Sequence, residues 1–206
     1  MSTSRTFALR RRPVVEALLE DRGDLLVVSG LGAPAWDAAA AGDHALTFPL
    51  WGAMGGALPM GLGLALARPE RRVLVITGDG EMLMGLGAIA TAGAAGPGNL
   101  GVAVLDNECY GETGMQATHT AFGVDLAAMA AAAGWPMTGT VREESGLEPA
   151  LSDLRGGAGP VFYAFKVRAE DLPLVLPPRD GEHLKDRFRA ALLGGGPAAS
   201  DGGGWR

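Results

Sequence analysis

The chain has 206 residues, one cysteine, and a formal net charge of −6 from 17 Lys and Arg against 23 Asp and Glu. That length holds one domain with a sizeable core. The acid excess argues against a nucleic-acid partner, which needs a concentrated basic patch. The lone Cys109 excludes an internal disulfide, a cysteine zinc cluster and a cysteine-bound iron–sulfur centre within this chain.

Met1 to Arg12 is polar and basic with no apolar core behind it, so no secretory leader is read there. The run Arg10-Arg11-Arg12 reads as the solvated end of a helix. Pro13 to Glu20 predicts a helix, and Asp24 to Val28 a short buried strand. Gly55 to Ala67 predicts the next helix, where Gly61-Leu62-Gly63 reads as a close-packing surface and not as a phosphate loop. Arg72 to Thr77 (RVLVIT) and Leu100 to Leu105 (LGVAVL) are apolar runs bounded by turn residues, hence buried strands, with a helix over Met82 to Gly93 between them. Helices are also expected over Asp125 to Ala133 and Ser145 to Arg155, and a last strand over Val161 to Val167 (VFYAFKV). Strands separated by helices of this length imply right-handed βαβ units. The expected fold is therefore α/β, a single doubly wound parallel sheet covered on both faces.

Leu172 to Pro178 (LPLVLPP) reads as an extended arm lying on the body or on a partner. Gly194 to Arg206 reads as a disordered Gly-rich tail, leaving residues 1–193 as one domain. The Ala-rich Leu126 to Ala133 is too short to span a bilayer, and a cytoplasmic protein is expected.

The chemistry is concentrated where the strand Arg72–Thr77 stops. Gly78-Asp79-Gly80-Glu81 follows it directly, and the next strand ends at Asp106-Asn107. In an open α/β sheet, ligands gather beyond the carboxyl ends of strands. Gly78 and Gly80 let the backbone turn and approach a ligand, and a helix starting near Glu81 points unsatisfied N–H groups at an anion. Asp79 and Asn107 offer one charged and one neutral oxygen, which suits Mg²⁺ sharing its octahedron with a diphosphate and water. Gly-Asp-Gly alone is also a common turn. Gly-Asp-Gly, 26 residues and then Asn, with a strand ending at each ligand, resembles the signature of thiamine-diphosphate (ThDP) enzymes. The resemblance implies that Asp79, Asn107 and the backbone carbonyl of Cys109 bind Mg²⁺. It also places Gly78, Gly80, Glu81, Met82, Tyr110 and Thr113 around the cofactor.

Leu50 to Ala67 (LWGAMGGALPMGLGLALA) is similar to the stretch that precedes Gly-Asp-Gly in that family. The resemblance implies that Met54 props the cofactor in a bent shape and that the Gly52 carbonyl accepts from the pyrimidine amino group. The alternative for Met54 is a core methionine. Within the family, Asp106 to Thr120 (DNECYGETGMQATHT) and Gly80 to Ala90 (GEMLMGLGAIA) look like sulfopyruvate and phosphonopyruvate decarboxylases, over roughly residues 10 to 170.

ThDP chemistry needs a carboxylic acid at the pyrimidine N1′, which in the family comes from a separate pyrimidine-binding domain. Glu16 and Glu20 read as surface residues, and no room for such a domain is expected before Gly30. The chain therefore resembles the β subunit of a split sulfopyruvate-type decarboxylase, whose companion α subunit carries the Glu. The polar loop of Glu112, Thr113, Gln116, His119 and Thr120 is expected on the substrate side. Glu112 and His119 are its candidate proton carriers. His44 and His183 are assigned nothing.

The expected reaction is non-oxidative decarboxylation of a 2-oxo acid with a second anionic group at C3. Three alternatives stay open: the β subunit of a 2-oxo acid:ferredoxin oxidoreductase, an acetolactate synthase-like enzyme, and a non-catalytic ThDP-binding regulatory subunit.

Overall fold

The computed structural model describes residues 6–194. Helix α1 (Arg11–Leu19) leads to strand β1 (Leu26–Ser29), α2 (Ala33–Ala40) to β2 (Thr47–Pro49), and α3 (Ala57–Ala67) to β3 (Val73–Gly78). Two short helices, α4 (Asp79–Met84) and α5 (Gly87–Ala95), precede β4 (Leu100–Asp106). A small hairpin of β5 (Cys109–Tyr110) and β6 (Gln116–Ala117) follows. Then come α6 (Leu126–Ala132), β7 (Met137–Val141), α7 (Leu147–Gly156), β8 (Val161–Lys166) and α8 (Gly181–Leu193).

Six strands form one sheet in the order β2-β1-β3-β4-β8-β7, and every pair in it is parallel. Side chains alternate between its two faces. Along β3, Val73 and Val75 pack with α3, α5 and α6, whereas Leu74 and Ile76 pack with α1 and α7. Strands buried on both faces have no polar side to show, which is why they appear in the sequence as continuous apolar runs. Among the described residues no helix is long and apolar enough to cross a membrane.

The expected α/β sheet is the observed one, with two strands, two helices and the small β5–β6 hairpin added. β2 is three residues long and β7 contains Gly139, so neither carries a run that stands out as a strand. α2 begins after Gly32 with Pro34 in its first turn, and α8 is capped by Asp180, whose carboxylate accepts from the N–H groups of Glu182 and His183. The helix expected over Met82–Gly93 is broken at Gly85. Leu172–Pro178 is extended and lies on the body: Arg12 donates to the Pro173 carbonyl at 2.9 Å and the Trp51 indole to Pro178 at 2.8 Å. Apart from Gly194, which caps α8, the Gly-rich tail lies outside the described residues.

The basic run is not a solvated helix end. Arg11 and Arg12 both pair with Asp37, at 2.9 and 3.0 Å, and Asp37 is fully buried. An unpaired carboxylate there would be costly, so the two arginines are held inward by it. Arg10 pairs with Glu170 on the arm.

Gly61 lies against β3, where an added Cβ would come within 2.2 Å of Val75 Cγ2, while Gly63 faces open space. Gly61→Ala should therefore destabilise by about 1–3 kcal/mol through overpacking. Gly63→Ala should stabilise by roughly 0.5–1 kcal/mol, because alanine loses less entropy in a helix. Denaturant unfolding of the two variants should give shifts of opposite sign; equal shifts would dispose of the close-packing account.

Candidate functional site

The chain runs from β1 to β2 on one side of the sheet and then returns to β3 on the other side of β1. Such a reversal leaves a crevice beyond the carboxyl ends of the strands. A cleft of about 650 Å³ opens there, lined by the segments that leave β1, β3, β4 and β8. Its wall includes Leu31, Met54, Gly78, Asp79, Gly80, Glu81, Met84, Asn107, Cys109 and Tyr110.

Asp79 is 2% exposed. Its Oδ2 accepts from the hydroxyls of Thr118 at 2.5 Å and Thr120 at 3.1 Å. Thr120 also lies 2.8 Å from Asp106 Oδ1, and the two threonine hydroxyls are 2.9 Å apart. Four short O···O contacts thus share two hydroxyl hydrogens. The Asp79 carboxyl pKa is pushed up to about 7, first by burial and then by the nearby Asp106 charge. Asp106 in turn pairs with Lys166 at 2.7 Å, and Lys166 pairs with Glu108 at 2.9 Å. Thr118, Asp106, Glu108 and Lys166 were not singled out from the sequence.

Asn107 is half-buried, and its Oδ1 accepts from the Cys109 N–H at 2.9 Å. The Thr118 N–H bonds the Glu108 carbonyl, so the facing pair Cys109–Ala117 sits at a non-hydrogen-bonded position of the hairpin. The hairpin therefore leaves the Cys109 carbonyl unused. A carboxylate, an amide oxygen and a released main-chain carbonyl make a hard-oxygen set. Among the described residues no group of three or more His, Cys, Asp or Glu could hold a metal ion by itself. A cation held here would thus need oxygens from a ligand or water. Burial, then the charges of Asp79, Glu108 and Asp106, raise the Cys109 thiol pKa, which keeps the thiol protonated.

Glu81 is buried and its Oε2 accepts from Thr77 at 2.8 Å. Burial raises its pKa, opposed by Thr77 and by the backbone N–H groups of Ala57, Gly55 and Leu31. It thus faces both the connection after β1 and the segment that leads into α3. Met54 is 40% exposed on the cleft wall and does not belong to the core. Its neighbour Gly55, at φ +88°, is so close to Gly85 that a Cβ on Gly85 would meet the Gly55 carbonyl oxygen at 2.4 Å. This contact explains the break between α4 and α5: a helix run straight through Gly85 with any side chain would displace the Met54 loop. The Tyr110 ring lies over Gly80 in the same manner.

Glu112 and Thr113 line the cleft, and the Glu112 carboxylate lies against Gly32 at the start of α2. His119 is exposed in the turn after β6 and does not line the cleft. Met82 is 3% exposed and packs in the core beneath α4, and Gly52 is exposed outside the cleft. Arg11, Leu172 and Leu174 close the far end.

Residues 32–165 match the family described as thiamine pyrophosphate enzyme, C-terminal TPP binding domain. The chain belongs to this family. The domain is 37% identical over 186 residues to sulfopyruvate decarboxylase subunit beta of Methanothermobacter thermautotrophicus, covering 90% of this chain and 97% of that one. It is 39% identical over 168 residues to phosphonopyruvate decarboxylase of Streptomyces viridochromogenes, covering 81% of this chain and 42% of the relative. It thus spans nearly all of the first protein and under half of the second. Benzoylformate decarboxylase from Polynucleobacter necessarius superposes with a TM-score of 0.66 at 21% identity, over 84% of this chain and 36% of that chain. At that identity the likeness is one of fold. With these relatives, this TPP binding domain falls in the class of ThDP-dependent carboxy-lyases.

The raised Asp79 pKa sets a stability slope for the metal-free domain. Between the unfolded value near 4 and the folded value of about 7, the folded chain holds the proton more tightly than the unfolded one. Its stability should fall as pH rises across that window, by up to roughly 4 kcal/mol, and this group should add no further loss above it. Urea titrations in chelator from pH 4 to 8 should record the slope, and Asp79→Asn should flatten it. An unchanged slope in that variant would assign the effect elsewhere.

Proposed function

We propose that the chain is the diphosphate- and Mg²⁺-binding subunit of a ThDP-dependent decarboxylase acting on a sulfopyruvate- or phosphonopyruvate-type 2-oxo acid. The observation that carries this reading is the placement of Asp79 and Asn107 at the ends of neighbouring strands on the cleft that Met54 also lines. The near-complete overlap with a chain named as a beta subunit supports a companion chain, which would supply the activating Glu. Residues 1–193 form the one domain in this proposal, and the cytoplasm is its compartment.

The residues present fit the groups. Asp79, Asn107 and the Cys109 carbonyl would hold Mg²⁺, with the diphosphate filling further positions. Gly78, Gly80 and Glu81 would offer backbone N–H groups of the first turn of α4 to that diphosphate. Tyr110 and Thr113 would border the cofactor, and Met82 would support it from below, within the core. Bound ThDP supplies the electron sink for the pair released as CO₂ leaves. The Gly52 carbonyl, at the edge of the Met54 loop, would accept from the pyrimidine amine, and Met54 would prop the bent form of the bound cofactor. Glu112, on the cleft wall, would hold the proton returned to the product, and His119, exposed off the cleft, is the second candidate for that role.

Magnesium-dependent retention of ThDP tests the site, and co-expression with the companion tests the division of labour. Asp79→Asn and Asn107→Ala should each lose cofactor retention, and the wild-type chain alone should turn over no 2-oxo acid until the companion is added. Asn at 79 is the cleaner change, since Ala would strand the buried hydroxyls of Thr118 and Thr120. Robust turnover by the single chain would sink the split enzyme, and wild-type retention by both variants would sink the metal site.

Met54→Ala separates a mechanical role from packing. A core methionine would cost about 2–5 kcal/mol on truncation. With 40% exposure, Met54→Ala should leave the melting temperature nearly unchanged and lower kcat in the assembled enzyme, with little change in ThDP affinity. A large drop in melting temperature at unchanged kcat per folded enzyme would make Met54 a packing residue.

A further inference from the structure

Between the two expected metal-binding groups, Asn107 and the Cys109 carbonyl, stands Glu108. It has φ +62°, a left-handed backbone conformation that residues with a Cβ adopt at a cost. Asn107 and Cys109 face the cleft only because the chain turns through this residue. A conformation of that kind persists when its surroundings over-determine it, and here they do. The Glu108 N–H donates to Asp106 Oδ1 at 3.2 Å, and its carbonyl accepts from the Thr118 N–H at 3.0 Å. Its carboxylate pairs with Lys166 at 2.9 Å, and the same ammonium pairs with Asp106 at 2.7 Å.

Lys166 is 5% exposed at the end of β8, next to β4 in the sheet. The Phe7 ring lies 5.7 Å from its ammonium, on a segment tied to β8 by the bridge of Leu9 to Val167. Asp106 and Glu108 are themselves 2% and 7% exposed. An ammonium shut in this way, with an acid on each side of Asn107, grips the turn at two points from a neighbouring strand. It also offsets two buried carboxylates, so that Asp79 meets an incoming cation without two further uncompensated acids alongside.

We propose that Lys166 is a positioning residue for the metal loop: by pairing with both Asp106 and Glu108 it locks the left-handed turn, and so sets the Asn107 amide and the Cys109 carbonyl in their places. The proposal rests on the metal-site reading above. Lys166 does not line the cleft, so it acts through the loop and not on a ligand. Its role is that of the outer groups that orient metal ligands.

The test is calorimetric titration of Mg²⁺ into the full chain at saturating ThDP, with a melting curve on each sample. Lys166→Met should weaken Mg²⁺ binding roughly 10–100-fold. Glycine adopts φ +62° without a clamp, so Glu108→Gly alone should stay near the wild-type affinity. Lys166→Met/Glu108→Gly should recover most of the affinity lost in Lys166→Met. If Lys166→Met does not fold, the other two variants decide, because each leaves fewer buried acids without a partner. Wild-type Mg²⁺ affinity in folded Lys166→Met overturns the proposal, as does a double variant no better than the single one. Asp79→Asn serves as the control for the metal site. Normal binding by that variant removes the site and the clamp's purpose with it, whereas a defect there with none in Lys166→Met overturns the clamp alone.

Discussion

Two central strands of one sheet end in buried acids, Asp79 after β3 and Asp106 on β4, and holding that negative charge out of water is the constraint on which the site depends. Parallel strands in register deliver both groups to the same edge: Gly78 of β3 lies opposite Leu105 of β4. Like charges that close raise each other's energy, and low polarity magnifies the effect. The chain answers on one side only. Asp106 receives Lys166, while Asp79 receives two threonine hydroxyls and, among the described residues, no cation. The two threonines cannot supply a hydrogen to every contact they make, and a proton on Asp79 or a cation beside it would relieve part of that shortfall. The same asymmetry distinguishes the roles of the two acids. Asp106 is bound up in structure, and Asp79 is left to titrate or to bind. Breaking a buried pair such as Asp106–Lys166 typically costs about 3–5 kcal/mol, which is enough to make the supporting half of the network rigid.

The rest of the cleft is shaped by backbone contacts. The Met54 loop presses on Gly85, and the Tyr110 ring on Gly80, so the walls on either side of Asp79 are set by positions where no side chain intervenes. Helix α4 is consequently short, and its first turn starts at Asp79 itself. A longer, continuous helix through Gly85 would carry more internal hydrogen bonds, and the chain forgoes them to bring Met54 alongside the acid. Sacrificing local regularity next to a binding site is a common pattern where function and folding compete.

Much of this was legible in the sequence, because buried parallel strands and the glycines after them leave strong local signals. RVLVIT followed by Gly-Asp-Gly, and LGVAVL followed by Asp-Asn, are enough to place Asp79 and Asn107 at strand ends. Short elements were not legible: the three residues of β2 carry no period, and Gly139 interrupts β7. Helix α8 did leave a trace, with Leu184, Phe188 and Leu192 four residues apart behind a capping Asp180. The ion pairs of Arg11 and Arg12 with Asp37 were hidden, since partners 25 or more residues apart share no local pattern. Lys166 was visible as a lone lysine inside VFYAFKV. A charge within a buried strand requires a partner, and that requirement is the signal that could have found Asp106 and Glu108.

The cleft is polar at its floor and apolar at its rim. Asp79 and Glu81 are almost fully enclosed, whereas Met54, Met84, Met115 and Leu174 on its wall are between 40% and 65% exposed. Trp51, 38% exposed, meets the ring of Trp36 on the cleft wall edge-on, and is held by the Pro178 carbonyl and by Arg179 over its ring. Large apolar side chains gathered round a binding cleft mark a surface that is covered in use. A cofactor reaching up from the acid floor would meet some of them, and a companion chain closing the mouth would meet the rest. Closing the mouth also excludes water, which strengthens every charge interaction at the floor. On this view the apolar rim and the buried acids depend on each other: the floor holds charge effectively only once the rim is covered, and the rim is worth covering because of what the floor holds.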